Sequence, residues 1–333
     1  MRNVNPIKVG DTQLYHGDAR QVLFHLDSNS LDSCVTDSPY HLSAGNGSRG
    51  FMGMDWDGGC IAFDASFWSE LLRVLKPGAF LLTLGHPRTS HRMATAIEKS
   101  GFEIRDTITW IRGQGMPYGK QLKGLNEPGV LARKPLEGSL SSNMAKWGVG
   151  ELFVERCRVN GRFPSNTIIS PEVADILKRK AKFFFCPRVS LRERNAGCDH
   201  IPPKPQTSDG KGRSYNDRCA VCGRKFVGAI TYRCQCPPGM KKTDKTRYTN
   251  CNHHPTVKPV TLMEYLVSLV TPVGGTLCDC FMGSGSTGIA AINLDLNFIG
   301  IEKKADYLNI AKARLKHAIR EKKEKLNGSK LKN

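Results

Sequence analysis

Two short stretches of the sequence bring together side chains able to hold an amine and a nucleoside. The first is Asp37-Ser38-Pro39-Tyr40, at the end of the apolar run Leu31 to Thr36. Asp37 can accept a hydrogen bond from an amine, and the Ser38 carbonyl can accept a second. The Tyr40 ring offers a face on which a base can stack. Taken alone, these four residues describe an ordinary turn. The second stretch is the run LCDCFMGSGSTG over 277–288. An apolar strand there passes through Asp279 into Phe281, Gly283, Ser284 and Gly285, with a helix expected behind it. Glycines let backbone approach a ligand closely, and a helix N-terminus offers free N–H groups. Glu302 ends the next apolar run, where a carboxylate can accept hydrogen bonds from ribose hydroxyls. Gly283, Gly285 and Gly288 also fit dinucleotide spacing, but little chain follows for the rest of a dinucleotide-binding sheet. A ligand with one nucleoside is therefore expected.

Cysteines supply a third pattern. Cys219 and Cys222 form a CxxCG knuckle, and Cys234 and Cys236 form a second close pair. Four thiolates suit tetrahedral zinc and leave no open position, so a structural rather than catalytic metal is expected. Cys198, His200, Cys251 and His253 are substitute ligands, and free thiols in a loop are the plain alternative. No secretion signal accompanies the twelve cysteines, which argues against a disulfide framework.

These groups need elements to position them. Leu31 to Thr36, Ala79 to Leu84, Ile104 to Trp110, Thr276 to Cys280 and Phe298 to Glu302 read as strands. Phe67 to Leu75, His91 to Lys99, Thr261 to Val270, Thr287 to Leu294 and Ala305 to Lys325 have helical spacing. Lys76-Pro77-Gly78 and Ser100-Gly101 stop two of the helices. The alternation implies a mostly parallel sheet covered by helices. Trp56, Trp68 and Trp110 read as packing residues. Between Gly113 and Asn252 the rhythm lapses into Gly, Pro, Ser, Lys and Arg, with Pro202 to Arg213 the most linker-like stretch.

Charge concentrates in that interval. The chain carries 49 Lys and Arg against 30 Asp and Glu, a net +19. From Ile111 to Lys258 the count is 28 against 11, so 17 of the excess lies there. Such a surface attracts polyanions, nucleic acid first among them. Met1 to Arg20 is broken by charges and Pro6. No signal peptide, transmembrane helix or membrane partner is expected, and the cytoplasm is the expected location.

The order of these motifs resembles the β class of DNA amino-methyltransferases. There a (D/S)PP(Y/F/W) motif comes first, a target-recognition region follows, and an FxGxG cofactor motif comes last. His254-Pro-Thr-Val-Lys-Pro259 is similar to that family's HPTxKP segment, and Tyr15-His-Gly-Asp18 to its N-terminal GD element. Ser38, Cys280 and Ser286 depart from the family's usual proline, proline and threonine. The resemblance implies a Rossmann-like S-adenosylmethionine-dependent fold with a mostly parallel seven-stranded sheet. Its catalytic domain is split over 1–112 and 252–318. The basic target-recognition insertion covers 113–251, with the zinc knuckle at 219–236, and 319–333 is a basic tail.

The resemblance further implies that Asp37, Ser38, Pro39 and Tyr40 are catalytic. It places the cofactor across Asp279, Phe281, Gly283, Ser284 and Gly285, with Glu302 on its ribose and Asp18 near its adenine. His254, Thr256 and Lys258 shape its methionine end. The exocyclic amine of a base is a poor nucleophile, because its lone pair is delocalised into the ring. Two acceptors on its hydrogens favour a more tetrahedral nitrogen, and the base must leave the duplex to reach them. N6 of adenine is the preferred target and N4 of cytosine the alternative. C5-cytosine chemistry is excluded, since Cys186 and Cys236 precede prolines rather than follow them. The rivals are a non-catalytic zinc-containing DNA-binding protein of the same fold and a methyltransferase of RNA or protein. Double-stranded DNA is the expected partner, with a homodimer and a partner nuclease left open.

Overall fold

The structure is a computed structural model that describes residues 5–42, 60–113, 122, 124–187, 191–202, 204–205, 218–219, 243–244 and 249–330. The chain opens with β1 (Ile7–Val9), β2 (Thr12–His16), α1 (Ala19–His25), β3 (Leu31–Asp37), α2 (Ala65–Val74) and β4 (Leu75–Leu84). Next come α3 (Ser90–Lys99), β5 (Glu103–Ile111), β6 (Asn126–Arg133), α4 (Leu140–Trp147), β7 (Thr167–Ile169), α5 (Pro171–Leu177) and α6 (Leu191–Asn195). Four two-residue strands follow: β8 (Lys204–Pro205), β9 (Arg218–Cys219), β10 (Thr243–Asp244) and β11 (Thr249–Asn250). They pair as β8 with β11 and β9 with β10. The chain then runs through α7 (Val260–Val270), β12 (Thr276–Asp279), α8 (Ser286–Asn293), β13 (Asn297–Glu302) and α9 (Ala305–Lys330).

Among the described residues, nine strands form one sheet in the order β1-β2-β13-β12-β3-β4-β6-β5-β7. Neighbours run parallel except where β1 meets β2 and where β6 meets β4 and β5. The expected seven strands are thus corrected to nine. The additions, β1 and β7, are three-residue edge strands, too short for any periodicity to mark them.

Strands covered on both faces are buried along their length, and β3 and β4 are: only Asp37 of β3 and Lys76 of β4 are less than fully buried, although Asp32, Ser33 and Thr36 interrupt the apolar run of β3. On one face α1, α2 and α3 press Leu23, Phe67, Trp68, Leu71 and Ile97 against Cys34, Leu81 and Ile301. On the other, α7, α8 and α9 press Leu262, Leu266, Ala290 and Leu315 against Val35, Leu82 and Leu277. Trp68 and Trp110 are both buried in this core, while Trp56 lies outside the described residues.

The α/β rhythm does not lapse at Gly113. β6 lies inside the sheet between β4 and β5, with Leu131 and Ala132 buried, and β7 extends the far edge. Pro128 hides this strand, because proline has no N–H to give a ladder. It is tolerated because pairing with β4 starts only at Gly129, and the Pro128 carbonyl accepts from Gly85 N at 2.8 Å. Lys76-Pro77-Gly78 likewise lies within β4, which starts at Leu75 with no loop before it. Most of Pro202 to Arg213 and the proposed ligands Cys222, Cys234 and Cys236 lie outside the described residues, as does the Cys219 side chain. No helix among the described residues is long and apolar enough to cross a membrane.

The topology fixes where a ligand can lie. From β3 the chain crosses to β4 on one side, and from β12 it crosses to β13 on the other. The carboxyl ends of β3 and β12 therefore flank a switch point, where open parallel sheets hold their ligands.

Candidate active site

Asp37 ends β3 and Asp279 ends β12, so both stand at this crevice. A cavity of about 470 Å³ opens there. Asp18, Asp37, Ser38, Pro39, Tyr40, His254, Thr256, Lys258, Asp279, Phe281, Gly283, Ser284 and Glu302 all line it. Of the residues singled out in the sequence for the cofactor and the target amine, only Gly285 lies off its wall. At φ +80 it turns the chain into α8, and a Cβ there would meet Leu315 at 2.7 Å and Ala311 at 3.1 Å. Gly285 thus lets α9 pack against the loop. Gly283, at φ +54, lets the His254 ring in; a Cβ would lie 2.7 Å from His254 Nε2.

At the β12–β13 end, Asp279 and Glu302 are held by neutral donors. Asp279 Oδ1 accepts from Thr36 Oγ1 at 2.6 Å and from Phe281 N at 3.0 Å, tying β12 to β3. Glu302 accepts from Gly283 N at 2.8 Å on one oxygen and from Lys304 N at 2.7 Å on the other. Burial raises both carboxyls, Asp279 to about 7 and Glu302 to about 7. Phe281 packs on Phe67 with ring centroids 5.4 Å apart. The His254 ring meets Tyr307 edge-on at 4.4 Å, and its Nδ1 accepts from Thr256 N at 3.3 Å. Burial, with Lys258, Arg194 and Arg314 nearby, pushes His254 down to about 3, so its ring is neutral at physiological pH. Asp18 caps α1, accepting from Arg20 N at 3.1 Å, and pairs with Lys303 at 3.1 Å.

At the β3 end, charges meet charges. The Lys258 ammonium bonds Asp37 Oδ2 directly and lies 3.0 Å from the Tyr40 hydroxyl. Tyr40 OH is 3.1 Å from Asp37 Oδ1. Lys258, expected beside the cofactor's methionine end, is bonded to the Asp37 turn. Burial alone would discharge it; Asp37 and Glu127 reverse that and keep it protonated well above its usual range. Ser38 stands where the resemblance expects a second proline. Its hydroxyl is buried and 2.6 Å from Thr83 Oγ1 on β4, so a hydrogen bond fixes the turn. Thr89 Oγ1 holds the Tyr40 carbonyl at 2.9 Å. Cys280 is buried with its sulfur 4.0 Å from Cys34 and 3.9 Å from Cys278.

Glu127, Arg112 and Tyr307 are the site residues that the sequence does not reveal. Glu127 was hidden with β6. Because β6 runs antiparallel, its first residues reach the edge where the parallel strands end. Among the described residues no cluster of three or more His, Cys, Asp or Glu is placed to hold a metal.

The mostly parallel sheet with its switch-point cavity defines an α/β protein of the methyltransferase fold. The solved cytosine-N4-specific PvuII DNA methyltransferase shares that fold: the match covers 94% of this chain and 90% of that one, with a TM-score of 0.55 at 14% identity. The N6/N4 methyltransferase family model, described as DNA methylase, matches residues 31–313, and the chain belongs to that family. Similar full-length relatives include the Type II methyltransferases M2.LlaDCHI of Lactococcus lactis subsp. cremoris and M2.DpnII of Streptococcus pneumoniae. Each is 25% identical over 314 residues, which is 91% of this chain and 88% of the relative.

Proposed function

We propose that this DNA methylase transfers the methyl group of S-adenosylmethionine to the exocyclic amine of a base flipped out of double-stranded DNA, with N6 of adenine the preferred acceptor. The observation that carries the reading is one cavity in which the Asp37–Tyr40 turn faces the Phe281–Ser284 loop and Glu302 across the crevice between β3 and β12. The residues fit the donor. Glu302 retains lone pairs for ribose hydroxyls beyond the two it gives to backbone N–H groups. Phe281 and Tyr307 supply apolar walls, and Asp279 and Glu302 face a cation. When bound, the donor supplies an electrophilic methyl group on a sulfonium. Asp37 and the Ser38 carbonyl accept the two amine hydrogens and turn the nitrogen lone pair toward it. Tyr40 stacks on the base, and Asp18 lies toward the cofactor's adenine.

Within 113–251, the part outside the sheet is the target-recognition region in this reading, with the basic tail 319–333 adding phosphate contacts. Cys219, Cys222, Cys234 and Cys236 hold a structural zinc there. Protein prepared without chelator then carries about one zinc per chain, and Cys222→Ser weakens DNA binding more than cofactor binding. A zinc-free preparation with full DNA affinity removes that ion.

The function itself is tested by modifying plasmid DNA with labelled cofactor and analysing the nucleosides. N6-methyladenine is expected. N4-methylcytosine would reassign the target, and unlabelled DNA from a protein that binds cofactor would leave only a DNA-binding role.

A further inference from the structure

Asp37 is not free to receive an amine. Oδ2 holds the Lys258 ammonium, and Oδ1 is the nearest acceptor for the Tyr40 hydroxyl at 3.1 Å. Both donors have the same second acceptor. Glu127 Oε2 lies 3.5 Å from Lys258 Nζ and 3.4 Å from Tyr40 OH. Its other oxygen is held at 2.9 Å by Arg112, so the carboxylate is already aimed at the lysine. Glu127 is 6% exposed and does not line the cavity, so it reaches the reaction only through Lys258 and Tyr40.

We propose that Glu127 is a positioning residue that takes over the Lys258 ammonium and the Tyr40 hydroxyl when a target amine claims Asp37. The proposal rests on the reading of Asp37 as the amine's acceptor. A buried ammonium that loses its carboxylate without replacement is heavily penalised, and a second carboxylate removes that penalty. The movement required is small, because a normal N–H···O distance is roughly half an ångström shorter than the present separation. Two carboxylates and two cations keep the cluster neutral throughout. Asp37 thereby recovers the lone pairs that an amine needs.

The charged and titratable groups facing Asp37 are Tyr40, Lys258 and Glu127, with Arg112 behind Glu127 and neutral His254 beside Lys258. Burial raises Asp37, and the Glu127 charge raises it further. Removing that charge therefore does two things: it leaves Lys258 fixed on Asp37, and it lets Asp37 stay ionised to lower pH.

Glu127→Gln tests this, measured at saturating DNA and cofactor beside Asp37→Ala. Misplaced catalytic groups commonly cost ~100-fold, and kcat for E127Q is expected to fall ~10- to 100-fold with cofactor affinity unchanged. The acidic limb of its pH profile moves to lower pH. E127D keeps the charge but shortens the reach. Its limb stays at the wild-type position, and its loss is smaller. If D37A is inactive while folded E127Q has wild-type kcat and an unmoved limb, the inference is overturned and the reading of Asp37 stands. If D37A turns over normally, the reading itself fails. Should E127Q not fold, E127D decides: wild-type kcat in that variant overturns the inference, and a reduced kcat with intact cofactor affinity supports it.

Discussion

At the β12–β13 end of the cavity, Asp279 and Glu302 are answered by backbone N–H groups and a threonine hydroxyl. At the β3 end, Asp37 and Glu127 are answered by an ammonium and a guanidinium. Both ends are buried, yet their charge differs. Neutral donors orient a carboxylate without cancelling it, so once Asp279 and Glu302 ionise the first end holds a negative charge that suits a cationic ligand. The second end is balanced and suits a neutral base. One crevice thus separates a site built for charge from a site built for geometry.

The largest expected effect lies outside both ends and isolates them. If the central interval grips DNA through ~5–8 phosphate contacts, affinity for a short duplex falls roughly 10³-fold between 50 and 200 mM salt. Cofactor affinity should change little over that range. A fluorescence titration with a log–log slope near zero would mean that the basic surface does not hold DNA. Within the cavity, Asp37→Ala should lower turnover by at least ~100-fold and leave cofactor binding nearly intact. Comparable losses in both measurements would erase the distinction between the ends. Glu302→Ala should do the reverse, weakening cofactor binding ~10- to 100-fold, as expected for lost hydrogen bonds to a charged acceptor. Unchanged affinity by calorimetry would remove Glu302 from the ribose.

The smallest effect is one of pH. Glu302 and Asp279 titrate near 7 in the folded chain, above their ordinary values of 4.5 and 3.8. Their contribution to the stability of the free protein is complete below those ordinary values and is lost as pH rises through 7. A cationic ligand favours the ionised forms, so cofactor affinity should rise with pH. A group titrating at about 7 goes from roughly one-tenth to nine-tenths ionised between pH 6 and 8, which caps its contribution at about tenfold. Glu302→Gln should flatten the rise; a wild-type profile already flat would show that Glu302 binds the cofactor unionised.

Most of the candidate site is legible in the sequence, because strand ends and glycine turns leave local marks. Asp37, Asp279 and Glu302 each close a short stretch that reads as a buried strand, and each ends a strand at the same edge. Glu127 leaves no such mark. It opens a strand instead of closing one, beside a proline and a glycine, and its role depends on an antiparallel direction that no local pattern records. The pairing of Lys258 with Asp37 is also invisible, since the two are 221 residues apart and motif order puts Asp37 at the amine and Lys258 at the cofactor's methionine end. The packing of α9 against Gly285 is not legible either, because a glycine spared for a helix and one spared for a ligand look alike in sequence.

The place of β12 beside β3 has a consequence for how the chain is made. Strands β3 to β7 lie within residues 31–169, and their pairings can close among themselves as synthesis proceeds. The free edge of β3 must wait for residues 276–279, and β2 must wait for 297–302. Until then an apolar parallel edge stands open on the nascent polypeptide, the kind of edge that recruits other chains. Truncation after the central interval should therefore yield aggregate, and a chaperone that shields that edge should raise the yield of the full-length chain.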